Sequence, residues 1–303
     1  MTISAATRLV GLLGWPVTQS KSPVFQNAAF AAAGLDWRYV PLGAPPGQLP
    51  AAVRGLAAMG FVGANVTIPH KEAVLGLLDA VDDEAALAGS ANTLVVEGTR
   101  ERPRLVGYTT DGPGFLASLR EETGADAAGM TVLLLGAGGA ARSLAAALVR
   151  AGADRVIVAN RTVERAQALV AALTGRAGRT RLAALPLDAA ALAPHLGAVD
   201  LVVQATSVGM TGGGAPAAMP AVDMDRLRPS TIAADLVYAP PRTPFLAAAE
   251  ARGLPRFGGA GMLLHQGALA FERWTGRTAP LEVMRRALAG ALGTPVGPRE
   301  REA

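Results

Sequence analysis

TVLLLGAGGAARSLAAALVRAGADRVIVANRT, residues 131–162, decides the fold of half of this chain. An apolar run ends at Gly136. Gly138 and Gly139 follow directly, an Ala/Leu-rich helical pattern runs to Gly152, and RVIVAN resumes a strand pattern. Strand, glycine turn, helix, strand is the context in which a G-x-G-x-x-G/A signature carries meaning, and Ala141 occupies its last position. A chain that turns this tightly and brings its N–H groups against a pyrophosphate needs residues without a Cβ. Gly136, Gly138 and Gly139 are therefore candidate cofactor residues, and Ala137 and Ala140 lie in the same loop. A glycine turn in an ordinary α/β protein is the weaker reading.

The end of the second strand discriminates between cofactors. NAD-selecting sites place a carboxylate there for the ribose hydroxyls. This chain has Asn160, Arg161 and Thr162, then Arg165. A carboxylate would repel a 2′-phosphate, whereas a guanidinium forks onto it and a hydroxyl donates to it. The expectation is NADP(H). Solvated surface arginines would not account for the missing carboxylate.

Working outward, RLAALPL, DLVVQAT and TIAADLVY continue as strands separated by helical stretches. Such alternation predicts a parallel sheet with helices on both faces. QATSVGM (204–210) follows the strand DLVV at the expected carboxyl edge, which makes Thr206 a candidate at the nicotinamide end, with a plain polar turn as an equal alternative. Upstream, RLVGLLG, WRYVPL and FVGANVT read as strands, and SPVFQNAAFAAAG and LPAAVRGLAAMG as helices closed by glycine. ANTLVVE and RLVGYTT read as a hairpin, and DGPGFLASLREETG as a helix. The chain thus divides into two α/β units, about 1–110 and 111–259, and two C-terminal helices that could pack on either. The Pro/Arg/Glu tail at 297–303 reads as a frayed end.

Composition narrows the function. The 303 residues include no Cys, and the three His lie far apart, so neither disulfides nor a metal site is expected. The net charge is +4, but the basic clusters RERPR (100–104) and RAGRTR (176–181) carry no interleaved aromatics. An anionic small molecule explains the excess charge better than nucleic acid. TRLVGLLGWPV near the N-terminus is too short for a membrane span and lacks a cleavage site. It reads as a buried strand of a cytoplasmic protein, with no membrane partner expected.

In the first unit, Ser20, Ser22, Asn65, Thr67, Asn92 and Asp111 gather at apparent strand ends, a set suited to a polyhydroxylated ligand. Each has a plainer reading: Ser22 as a helix cap, Asp111-Gly112 as a turn, Asn92 as a strand cap. Lys is nearly absent. It occurs at 21 and 71 only, and every other one of the 28 basic residues is Arg. The ammonium in NVTIPHKEA (65–73) raises the question of a role that a guanidinium cannot fill, such as giving up a proton, with a surface cation following Pro69 as the weaker reading.

These stretches, in order, resemble the shikimate dehydrogenases and their quinate relatives: SKSP (20–23), NVTIPHK (65–71), GSANTL (89–94), TDGPG (110–114), GAGGAAR (136–142), NRT (160–162), ATSVGM (205–210), DLVYAPPRTPFL (235–246) and GGAGMLLHQGALAFERWTG (258–276). The resemblance implies a discontinuous substrate domain, 1–110 plus 260–303, with the C-terminal helices packed back onto it. It implies a Rossmann-type NADP domain, 111–259, and a cleft between the two. It places substrate contacts at Ser20, Ser22, Thr67, Asn92, Asp111, Tyr238 and Gln266, NADP contacts at 136–140, 160–165, Leu236 and Gly259, and an acid–base lysine at Lys71 assisted by Asp111. The implied reaction is the reversible NADPH-dependent reduction of 3-dehydroshikimate to shikimate. Quinate or aminoshikimate oxidation, and a non-catalytic NADP-binding sensor, are the alternatives. The chain departs from the family's usual pattern at Thr109 and Gln204, where Asn is usual. A small-molecule substrate and a monomer or homodimer are expected.

Overall fold

The computed structural model describes residues 3–211 and 218–297; most of the tail read as frayed, 298–303, lies outside the described residues. Two compact units result. One comprises the chain up to Gly114 together with Leu263–Val296, the other Phe115–Met262 with Gly297.

The first unit holds a six-stranded sheet in the order β2-β1-β3-β5-β6-β4. Its strands are β1 (Arg8–Gly14), β2 (Trp37–Gly43), β3 (Gly63–Val66), β4 (Ala80–Val81), β5 (Thr93–Gly98) and β6 (Pro103–Tyr108). β2, β1 and β3 are parallel, and β5 runs antiparallel to both β3 and β6. The sheet is mixed because the β5–β6 hairpin needs no crossover helix. Helices α1 (Ser22–Ala32) and α2 (Leu49–Ala58) connect the parallel strands. Both end in Schellman motifs at Gly34 and Gly60, each with positive φ: Leu35 N–H donates to Phe30 O (2.9 Å) and Phe61 N–H to Leu56 O (3.0 Å). A short helix, α3 (Asp83–Ala88), is capped by Asp82, whose carboxylate accepts from the Ala85 N–H.

Each face of this sheet has its own cover. Leu49, Val53 and Leu56 of α2 pack with Leu13, Ala64, Val66, Leu94 and Leu105. On the opposite face the scarce aromatics collect. Trp37 and Tyr39, two apart on β2, share a side with Phe30 of α1 and with Phe271 and Trp274 of α9 (Gly259–Thr275); neighbouring rings lie 5.4–6.0 Å apart. α9 is seated closely: the Trp274 indole donates to Leu94 O (2.9 Å), and Gln26 Nε2 donates to Gly267 O (2.8 Å). α10 (Leu281–Leu292) packs against α1. The C-terminal helices therefore belong to the first sheet.

The second unit begins within α4 (Asp111–Thr123). Its strands are β7 (Thr131–Leu135), β8 (Arg155–Asn160), β9 (Arg181–Pro186), β10 (Leu201–Gln204), β11 (Ile232–Asp235) and β12 (Arg256–Phe257). Helices α5 (Gly139–Arg150), α6 (Val163–Thr174), α7 (Ala189–Leu196) and α8 (Pro244–Ala251) lie between them. All pairings are parallel, in the order β12-β11-β10-β7-β8-β9. Strand order reverses between β7 and β10, the place where a doubly wound sheet opens a crevice at its carboxyl edge. No helix among the described residues is long and apolar enough to cross a membrane.

Candidate active site

β3 delivers Asn65 and then Thr67, whose N–H donates to Leu13 O (2.8 Å). The Thr67 methyl fits because Gly14 has no side chain: a Cβ there would lie 2.3 Å from it. His70 is 2% exposed, and its Nε2–H donates to Ala44 O (2.7 Å). That bond sets the orientation of the imidazole ring. The next residue, Lys71, is anchored by its carbonyl, which accepts from the Ala91 N–H (2.9 Å).

Lys71 Nζ donates to Asp111 Oδ2 at 2.5 Å, with the two side chains 16% and 4% exposed. Asp111 is the first residue of α4, where the helix N-terminus favours a negative charge. Its other oxygen accepts from Asn92 Nδ2 (3.0 Å). The same amide nitrogen lies 3.1 Å from Gln266 Oε1 and 2.9 Å from Thr110 Oγ1, while Asn92 Oδ1 accepts from the Thr110 N–H (2.7 Å). Lys71, Asp111, Asn92 and Gln266 are thus brought into one hydrogen-bonded set from four separate stretches of chain. Removing one member of so buried an ion pair is costly, because the other charge stays behind unpaired.

Ser22 opens α1 one residue after the N-cap, which is Lys21, so the capping alternative does not hold; Ser20 Oγ accepts from the Ser22 N–H (3.3 Å). Asp111 is not in a turn and Asn92 does not merely cap a strand. Tyr238 lies in the second unit, half-buried, and burial raises its phenol above the usual range. Sequence reasoning missed Tyr39, whose hydroxyl donates to Asn65 Oδ1 (2.8 Å). The signal available was the placement of Trp37 and Tyr39 on one face of β2.

In the second unit the glycine turn sits at the switch point. Gly136 has φ 118°, and a Cβ on it would lie 3.0 Å from Ala205 O at the end of β10. Gly138 is the extended N-cap of α5, with no side-chain cap, no acidic residue in the first turn and open space where its Cβ would be. The first-turn N–H groups of Gly139, Ala140 and Ala141 therefore face an uncontested position for an anion. At the end of β8, Asn160 Nδ2 holds the turn by donating to Thr162 O (2.8 Å). Arg161, Thr162 and Arg165 are exposed there, and the Thr162 hydroxyl makes no cap bond. These features fit a dinucleotide carrying an extra phosphate. Gln204 grips the following loop: its Oε1 accepts from the Thr206 N–H (2.6 Å) and hydroxyl (2.7 Å), and its Nε2 donates to Val208 O (2.8 Å). A Cβ on Gly259 would lie 2.0 Å from Leu236 O, so these two candidates meet backbone to backbone. Asp235, 1% exposed at the end of β11, is pushed up to about 6 by burial, against the opposing bonds from the Thr243 hydroxyl and the Val237 N–H. Among the described residues no cluster could hold a metal ion.

A parallel sheet of this order with a glycine turn at its switch point defines a dinucleotide-binding α/β protein. Three family models place it further. The shikimate dehydrogenase substrate binding domain matches residues 12–94, shikimate / quinate 5-dehydrogenase matches 118–211, and the shikimate 5'-dehydrogenase C-terminal domain matches 259–289. Shikimate dehydrogenase (NADP(+)) of Citrifermentans bemidjiense is 48% identical over 298 residues, covering 98% of this chain and 100% of the relative. A crystal structure of a shikimate dehydrogenase in complex with NADP+ has a TM-score of 0.86 at 36% identity, covering 96% of this chain and 98% of its own. Shikimate 5-dehydrogenase from Thermus thermophilus, in complex with NADP(H) and shikimate, has a TM-score of 0.80 at 36% identity, covering 94% and 100%. The chain belongs to the shikimate dehydrogenase family.

Proposed function

We propose that this protein catalyses the reversible reduction of 3-dehydroshikimate to shikimate, with Lys71 as the acid–base group, Asp111 as its partner and NADP(H) as cofactor. The observation that carries the reading is the 2.5 Å Lys71–Asp111 pair, held by Asn92 in a setting of hydroxyl and amide groups. NADPH, when bound, supplies a hydride to the C3 carbonyl. Lys71 gives its proton to the developing alkoxide oxygen and, in the reverse direction, takes a proton from the C3 hydroxyl. Asp111 keeps the ammonium in place. Ser20, Ser22, Thr67, Asn92, Gln266 and Tyr238 bind the carboxylate and hydroxyls of the substrate. The open N-terminus of α5 and the Gly136–Ala140 turn hold the pyrophosphate, Arg161, Thr162 and Arg165 the 2′-phosphate, and Thr206, Leu236 and Gly259 the nicotinamide end. The enzyme works on a small molecule in the cytoplasm, in aromatic amino acid biosynthesis.

The purified chain assayed with shikimate, quinate and aminoshikimate, each against NADP+ and NAD+, tests the proposal. Shikimate with NADP+ is expected to give the highest kcat/KM. A higher value for another polyol, or no turnover with intact NADP+ binding, would overturn it.

A further inference from the structure

Tyr39 has no role in the mechanism above, yet its phenol lies at the head of the hydrogen-bonded set that contains the reactive pair. The side chain is buried, its ring tilted against Trp274 with centroids 6.0 Å apart. Burial pushes the phenol far above its usual range, so it stays a donor at every working pH. It donates to Asn65 Oδ1 at 2.8 Å. With Oδ1 turned to the phenol, Asn65 Nδ2 faces the other way and donates to Asn92 O (3.0 Å) and Thr93 Oγ1 (3.1 Å). The Thr93 hydroxyl, accepting there, sends its own proton to Asn92 Oδ1 or Thr110 Oγ1, each at 3.3 Å. Asn92 Oδ1 also takes the Thr110 N–H, so its Nδ2 is left to face Asp111 and Gln266. Donor direction therefore runs one way, from the phenol through Asn65 to the carboxylate that holds Lys71. An amide can flip by half a turn at little steric cost, and only its partners decide which end faces where.

We propose that Tyr39 is a positioning residue for the reaction: its O–H sets the orientation of the Asn65 carboxamide and, through it, the Asn92–Asp111–Lys71 set. The inference rests on the function proposed above.

Tyr39→Phe removes the hydroxyl and keeps the ring against Trp274, so the fold has no reason to fail. On this variant kcat/KM for shikimate is expected to fall about fivefold or more, because a buried acceptor loses the one donor it has among the described residues, while the KM for NADP+ stays near wild type and the Tm falls by no more than a few degrees. A smaller loss overturns the proposal. The second arm repeats the comparison in an Asn65→Ala background, or Asn65→Ser if that variant does not fold. If Tyr39 acts through Asn65, Tyr39→Phe then costs less than about twofold; a larger loss there means a general structural role and overturns the route. Wild-type turnover of shikimate in the same assay tests the functional reading separately. Were another polyol the true substrate, the variant-to-wild-type ratio would be measured on that polyol.

Discussion

Lys71→Arg separates charge from proton transfer. The guanidinium keeps the positive charge and can keep the ion pair with Asp111, so folding stability should change little. What it cannot do is lose its proton at working pH. A positioned acid–base group contributes about 10²- to 10⁴-fold to the rate. The retained cation still stabilises the alkoxide, which favours the lower part of that range, a loss of about 10²- to 10³-fold or roughly 3–4 kcal/mol in the barrier. The site supports this isolation of causes. Lys71 is 16% exposed and Asp111 4%, so water has little access to act in place of the amine. The assay is kcat at saturating shikimate and NADP+, and again from 3-dehydroshikimate and NADPH, with Tm followed in parallel. Both directions should fall by the same factor, since one group gives and takes the same proton. A variant that keeps more than about a tenth of wild-type turnover, a deficit below about 1.4 kcal/mol, would refute the assignment of Lys71 as the acid–base group.

Other outcomes follow from the same geometry. Asp235, about 6 when folded against about 3.9 unfolded, binds its proton more tightly in the folded state. Its contribution to stability is therefore greatest below about pH 4 and falls by an order of 3 kcal/mol as pH rises to about 6. Urea unfolding of wild type and Asp235→Asn across that window should show their difference shrinking or reversing sign, whereas a pH-independent difference would contradict the reasoning. Gly14→Ala places a Cβ 2.3 Å from the Thr67 methyl and 3.1 Å from Ile68 O, so the KM for shikimate should rise about tenfold while the KM for NADP+ holds. Equal change in both would argue against a local effect on Thr67. Arg161→Ala should raise the KM for NADP+ by about tenfold or more with little effect on NAD+, and parallel changes would remove Arg161 from the 2′-phosphate site.

The second unit was readable because each of its layers is spelled by a long apolar run or a long helical pattern. TVLLL, RVIVAN and DLVVQ need little more than periodicity, and Gly136 announces its turn by chemistry that only glycine permits. The first unit resisted in specific places. β4 is two residues long and α3 only six, below the length at which periodicity carries information. The mixed sheet was foreshadowed only by the β5–β6 hairpin. For the site, the residue types were visible but the connections were not. Asn92 meets Asp111 and Gln266 across long sequence separations, which no local pattern encodes. Tyr39 and Asn65 face each other because β2 and β3 flank β1, a neighbour relation set by strand order. Gln204 illustrates the same limit. The residue could be named as a departure, yet its grip on Thr206 and Val208 depends on a loop path that only the folded chain displays.

The first unit is assembled from two distant parts of the chain, and this sets an order of events at the ribosome. Synthesis proceeds from the N-terminus, and domains tend to fold as they emerge. All six strands of the first sheet are complete by Tyr108, but Phe271 and Trp274, which cover its aromatic face, come more than a hundred residues later. Until then Leu94 O lacks its indole donor and the space over Gly63 is empty. The entire second sheet is synthesised during that interval. The nascent protein thus carries an uncovered aromatic surface for most of its synthesis, and the last helices act as its closing segment.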